Sequence, residues 1–307
     1  MEMRTLGKTG MNVSVLGFGG AEIGFEEATV DTVRTLLNAA IDAGLNVIDT
    51  AECYWAKTEE SASERLIGEA VAHRRKDFVL FTKVGHAAGL DGKDWDPAMM
   101  AKSIDRSLKR LRTETVDLIQ LHSCGADKLR QGDVIDVLRK ARDAGKTRFI
   151  GYSGDGEHAR TAIETGAFDT LQTSVNVADQ QPLTLTLPLA QRANMGVIAK
   201  RPVANVAWKE ATEPKEGVYY RAYWRRLREL KYPFVRFGQP TDESVATALR
   251  FTLSAPGVHT AIVGTKRPGR WQTNARAAAQ GKLPESELKA IRDRWQQVAQ
   301  TDWVGQT

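Results

Sequence analysis

The sequence predicts a single-domain α/β protein spanning residues 1–307. The expected fold is a (β/α)8 TIM barrel with an N-terminal β-hairpin and an extra C-terminal helix. Three observations point there. Short apolar runs alternate with helical stretches along the whole chain, without low-complexity segments or any other internal repeat, as in a series of βα units. The length of 307 residues, with 42% hydrophobic and 26% charged residues, is that of an ordinary globular chain and is common for one α/β barrel. Finally, three apolar runs end on chemically useful side chains. Leu45, Val47 and Ile48 lead to Asp49, with Tyr54 just beyond; residues 78–83 end on Lys83, and Val116–His122 ends on a histidine. In a closed parallel barrel the carboxyl ends of the strands open into one mouth, so Asp49, Tyr54, Lys83 and His122 would share it.

The elements follow in order. Residues 4–15, with the turn Gly7-Lys8-Thr9-Gly10, read as a hairpin closing the barrel bottom, and residues 13–18 as the first barrel strand, leaving through Gly19-Gly20. Residues 31–43 form a helical stretch stopped by Gly44. Pro97–Leu111 and residues 128–144 read as further helices, the second closed by Gly145. Residues 146–153 are the fifth strand, Leu171-Gln172-Thr173 belongs to the sixth and residues 195–202 are the seventh. A long excursion over 202–240 suggests function, since connections of that size are uncommon. Within it Tyr220, Tyr223, Trp224, Leu227 and Leu230 fall at helical spacing. Residues 241–254 form the seventh helix, 258–263 the last strand, 264–270 the last βα loop, and 284–299 a closing helix.

Composition excludes several function classes. The amino terminus has no apolar signal-like region, and no run approaches the roughly 18 apolar residues of a membrane helix, so a cytoplasmic protein without membrane partners is expected. Two cysteines, Cys53 and Cys124, are too few for a disulfide framework, and His73, His86, His158 and His259 show no metal-ligand spacing; no metal site is expected. The net charge of +5 is concentrated in 219–236, where six basic residues face only Glu229. The helical spacing of the aromatics there favours an amphipathic surface helix over a nucleic-acid site.

The ordered set Ile48-Asp49-Thr50-Ala51 to Tyr54, then Phe81-Thr82-Lys83, then Leu118 to His122 resembles the tetrad of the aldo-keto reductases, and the likeness runs from Leu16-Gly17-Phe18-Gly19-Gly20 to the segment near Gly264. The resemblance implies an NADP-dependent oxidoreductase that reduces a small-molecule aldehyde or ketone by hydride transfer. Tyr54 would be the general acid/base, Lys83 its tuner, Asp49 the partner of Lys83, and His122 a donor that orients the carbonyl oxygen. The chemistry suits these types. Reduction leaves an alkoxide that needs a proton, and a nearby ammonium is expected to lower the phenol pKa of about 10 toward neutrality.

The same resemblance implies a cofactor site. Gly19 and Gly20 would lie beside the nicotinamide, with Asp49 next to it, and Ser153 and Gln172 would hold its carboxamide. Lys200, Arg201 and Pro202 would line the cofactor, and Gly264, Thr265, Lys266, Arg270 and Asn274 would receive the adenosine end. Lys266, Arg267 and Arg270 favour NADPH, whose 2′-phosphate calls for positive charge. Several positions depart from the family pattern: Ala21 and Lys200 replace aromatics, Trp55 and Gly154 replace a glycine and an asparagine, and Gly264 replaces a lysine. Two rival readings stand beside this one. Lys83 could form a Schiff base as in an aldolase, or the barrel could be a cofactor-binding sensor with little turnover.

Overall fold

The computed structural model describes residues 1–306. Two short strands, β1 (Met3–Thr5) and β2 (Asn12–Ser14), pair antiparallel as the expected hairpin. Eight further strands follow: β3 (Leu16–Gly19), β4 (Val47–Asp49), β5 (Val79–Val84), β6 (Val116–His122), β7 (Thr147–Ser153), β8 (Thr170–Ser174), β9 (Gly196–Lys200) and β10 (Thr260–Val263). They pair in parallel and in sequence order, and β10 pairs with β3 to close the barrel. The predicted fold is therefore the observed one.

Helices cover the outside: α1 (Ala21–Phe25), α2 (Val30–Asp42), α3 (Ser63–Val71), α4 (Pro97–Leu111), α5 (Ala126–Gln131), α6 (Asp133–Asp143) and α7 (Gly156–Glu164). The second half adds α8 (Pro182–Leu185), α9 (Leu187–Arg192), α10 (Arg221–Leu230), α11 (Asp242–Ser254), α12 (Pro268–Ala279) and α13 (Glu285–Val298). Their starts are written locally. Thr29 and Asp96 accept backbone N–H groups of α2 and α4, and Thr241 and Ser244 form a reciprocal capping box at α11. No helix among the described residues is long and apolar enough to cross a membrane.

Two sequence expectations are corrected. Residues 128–144 are not one helix: Gly132, at φ 83°, ends α5 and begins α6. The first barrel strand starts at Leu16 rather than Val13, because Val13 belongs to the hairpin and pairs with Arg4. The excursion over 202–240 carries the expected amphipathic helix. In α10 Tyr223, Trp224, Leu227 and Leu230 are buried in a second apolar cluster with Trp208, Ile291, Trp295 and Trp303, so α10 and α13 brace each other beside the barrel.

Strand alternation builds the site. Side chains two apart face the same way, and the inward set forms a lower apolar plug of Val47, Phe81, Leu118, Ile198 and Ile262. Leu6, Met11 and Val13 of the hairpin seal it from below. Moving two residues up the strands from that plug reaches Asp49, Lys83 and Gln120. A polar layer thus rests directly on a dry floor.

Candidate active site

Asp49 and Lys83 are fully buried and joined at 2.5 Å between Lys83 Nζ and Asp49 Oδ2. Lys83 also donates to the Thr50 carbonyl at 2.8 Å. The other carboxylate oxygen, Asp49 Oδ1, accepts from Gln120 Nε2 at 3.0 Å and Gln172 Nε2 at 2.8 Å. Ser153 Oγ then donates to Gln172 Oε1 at 3.1 Å. Burying two ions is costly unless their remaining hydrogen-bonding groups are satisfied, and this chain of amides does that for the carboxylate.

Tyr54 lies on the loop after β4, partly exposed, with Lys83 Nζ 4.8 Å from its ring centre. Its backbone is clamped: Ser63 N–H donates to its carbonyl at 2.9 Å, and a side chain at Gly24 would meet that same oxygen at 2.0 Å. Glycine is therefore required in α1 for the loop to sit where it does. The expected lowering of the Tyr54 pKa is not found. Burial raises it above the ordinary phenol value; Lys83 pulls the other way, but Asp49 pushes it up again. The ammonium is shared with a carboxylate, so its influence on the phenol is partly spent. Burial also disfavours charge on Lys83, yet Asp49 and Tyr54 outweigh it and hold the ammonium above its usual range.

His122 ends β6 across the mouth, its ring centre 5.9 Å from that of Tyr54. Trp95 donates from Nε1 to the His122 carbonyl at 2.9 Å, fixing the strand end. Burial lowers the His122 pKa, with Glu52 opposing, so the imidazole is neutral at physiological pH. The structure thus brings all four tetrad candidates to one mouth.

The cofactor candidates divide. Gly19, Gly20 and Asp49 stand on one side of the barrel and Ser153 and Gln172 on the other, joined across its centre by the Gln172–Asp49 bond. A side chain at Gly19 would meet nothing closer than 3.5 Å, whereas one at Gly20 would strike Ser63 Oγ at 2.5 Å and the Asp49 carbonyl at 3.0 Å. Gly20 is thus demanded by packing of the chain itself, not only by room for a ligand. Lys200 and Arg201 both turn to buried Asp155, at 3.0 and 3.3 Å, and Arg201 also donates to Ser174 Oγ at 2.6 Å. Burial pushes the Lys200 pKa down to about 8, with Asp155 opposing. The Pro202 carbonyl accepts from Thr252 Oγ1 at 2.9 Å.

At the last loop Gly264 adjoins Gly19, and Thr265 is buried with its Oγ1 accepting the Arg267 N–H at 3.0 Å. Lys266 pairs with Glu26 at 2.7 Å, and Arg270 with Asp242 at 2.8 Å. These two cations diverge, although they stand close in sequence. Asn274 is buried and its Oδ1 has no hydrogen-bond partner. An unsatisfied buried acceptor beside a basic loop suits the amino group and phosphate of a nucleotide, so the residues present fit a nicotinamide dinucleotide.

Sequence reasoning missed three supporting residues. Gln120 lies two positions before His122 on the same strand face, and period-two alternation alone points to it. Glu52 is buried two residues before Tyr54, and its Oε1 accepts the His86 N–H at 2.9 Å. Asp155, which gathers Lys200 and Arg201, follows the fifth strand directly; only tertiary structure reveals its partners.

A closed parallel eight-stranded barrel thus carries a Tyr, a buried Lys–Asp pair and a His at one mouth. Comparison with known proteins identifies the family. The aldo/keto reductase family model matches residues 15–296, and the chain belongs to that family. It is 27% identical to the uncharacterized oxidoreductase YqkF of Bacillus subtilis, over 97% of each chain. It is also 31% identical to the L-galactose dehydrogenase of Arabidopsis thaliana over 66% of each chain. Among solved structures, the holo form of the aldo-keto reductase AKR11C1 from Bacillus halodurans superposes with a TM-score of 0.79 at 25% identity, covering 96% of each chain. The protein is accordingly an oxidoreductase of the carbonyl-reducing kind.

Proposed function

We propose that this chain reduces a small aldehyde or ketone to an alcohol with NADPH, Tyr54 delivering the proton. The observation that carries the reading is the placement of the Tyr54 phenol, at the barrel mouth, against a buried Lys83–Asp49 pair and opposite neutral His122. Bound NADPH would supply the hydride. Gly19, Ser153 and Gln172 would receive its nicotinamide end, Lys200, Arg201 and Pro202 its middle, and Gly264, Thr265, Lys266, Arg270 and Asn274 its adenosine end.

The residues of the chain then divide the work. Neutral His122 donates a hydrogen bond to the carbonyl oxygen and fixes its position. Tyr54, whose raised pKa keeps it protonated at neutral pH, gives its proton to the oxygen as negative charge develops there. Lys83 stabilises the phenolate left behind, and Asp49 with Gln120 and Gln172 holds Lys83 charged and in place. A Schiff base at Lys83 would need a neutral, accessible amine. Here the amine is buried, charged and hydrogen-bonded, which speaks against the aldolase reading.

Tyr54→Phe tests the role. General acid catalysis contributes roughly 10²–10⁴-fold, so turnover with a panel of aldehydes, ketones and quinones should fall by about that factor while NADPH affinity, measured by fluorescence titration, stays put. Turnover equal to that of the unmodified protein would remove Tyr54 from the mechanism.

A further inference from the structure

At the rim of the same mouth, ligand atoms of Cys53, His86 and His122 all lie within 4.8 Å of one another, and all three residues are partly open to solvent. We infer that these three side chains, with water as the fourth ligand, form a binding site for a borderline-soft divalent cation of the zinc class.

The geometry supports a site rather than a chance meeting. Tetrahedral zinc with bonds of about 2.0–2.3 Å sets its ligand atoms about 3.3–3.8 Å apart. Cys53 Sγ stands 3.7 Å from His122 Nδ1, so one edge already has that length. The His86 ligand atom lies within 4.8 Å of the other two and belongs to a partly exposed side chain that can adjust. Glu52 supplies the independent observation. The residue is fully buried, its Oε1 is held by the His86 N–H, and its Oε2 makes no hydrogen bond. Its buried charge faces the His122 ring at 3.5 Å, and a cation bound at that ring would be favoured by it.

The outer groups are also arranged for a metal. His86 Nδ1 lies 2.8 Å from Asp94 Oδ2, while the Asp94 Oδ1 accepts the Ala87 N–H at 2.9 Å. A carboxylate on one ring nitrogen fixes the tautomer and leaves the other as a lone-pair donor, as in carboxylate–histidine–metal arrangements. A thiolate and two imidazoles are the donor set of zinc and its congeners, not of magnesium or calcium, which take oxygen. On binding, the Cys53 thiol releases its proton to solvent as the metal–sulfur bond forms, with no change of oxidation state.

His122 is shared with the proposed carbonyl pocket, so the test reads the metal itself rather than turnover. Cobalt(II) added to the full chain should bind one ion per chain and give a thiolate-to-cobalt charge-transfer band in the near ultraviolet, displaced by zinc. Cys53→Ser should abolish the band and raise the zinc Kd by about 100-fold or more. Asp94→Asn should raise the Kd by about 10–100-fold and keep the band, since it removes only the support of a ligand. His86→Gln, at a partly exposed position, gives a second direct probe should the serine variant fold poorly. Absence of the band, or a zinc affinity that His86→Gln and Asp94→Asn leave unchanged, would overturn the site. Because none of these readouts uses a carbonyl substrate, the metal site and the role of Tyr54 fail or stand separately.

Discussion

Replacing Lys83 by Met removes the ammonium while keeping most of the side chain's volume, so the cavity contribution is small. What remains is Asp49, 1% exposed, with its Oδ1 still receiving Gln120 and Gln172 but its Oδ2 stripped of the 2.5 Å bond to Lys83. A single charged hydrogen bond is worth about 1.5–3 kcal/mol. Leaving the second ion buried without its partner brings the total cost to about 3–5 kcal/mol. Because both side chains are out of solvent, there is little screening to discount. Adding Asp49→Asn removes the orphaned charge, so the double variant should recover much of that loss, with an interaction energy of about 0.5–3 kcal/mol in the cycle. Equilibrium urea unfolding of the four proteins measures it. A Lys83→Met cost below about 1 kcal/mol, or strictly additive variants, would show that the pair does not hold the polar layer together.

Reduction should hold steady through neutral pH and decline only as pH rises past the raised phenol pKa of Tyr54, whereas alcohol oxidation, which needs the phenolate, should climb over that same interval; an oxidation optimum near pH 7 would contradict the burial effect. Gly24→Ala should cost about 1–3 kcal/mol by overpacking, since its new methyl meets the Tyr54 carbonyl at 2.0 Å, and should depress turnover more than NADPH affinity; a neutral outcome in thermal melts would deny the clamp. Arg270→Ala should weaken NADPH binding by about 1.5–3 kcal/mol and leave NADH nearly untouched, because the exposed Arg270–Asp242 pair is weak and readily exchanged for a phosphate. Equal losses for both cofactors, measured by calorimetry, would assign Arg270 to surface structure alone.

Whatever repeats locally could be read from the sequence. Alternating strands and helices, Gly44 and Gly145 at helix ends, and Asp49, Lys83 and His122 at strand ends all follow from short-range rules, and their common mouth follows from the barrel once its strands are parallel. Gly132 was overlooked because a glycine inside a helical pattern is only a weak break signal until the backbone conformation is known. The electrostatics belonged to the tertiary structure. That Asp49 and two glutamines offset the influence of Lys83 on Tyr54 depends on contacts as far apart in sequence as Asp49 and Gln172. The meeting of Cys53, His86 and His122 likewise depends on three separate strand ends, and no spacing in the chain encodes it. Local propensity and periodicity act over a few residues, whereas burial, charge pairing and ligand geometry are set by which strand ends the closed barrel places side by side.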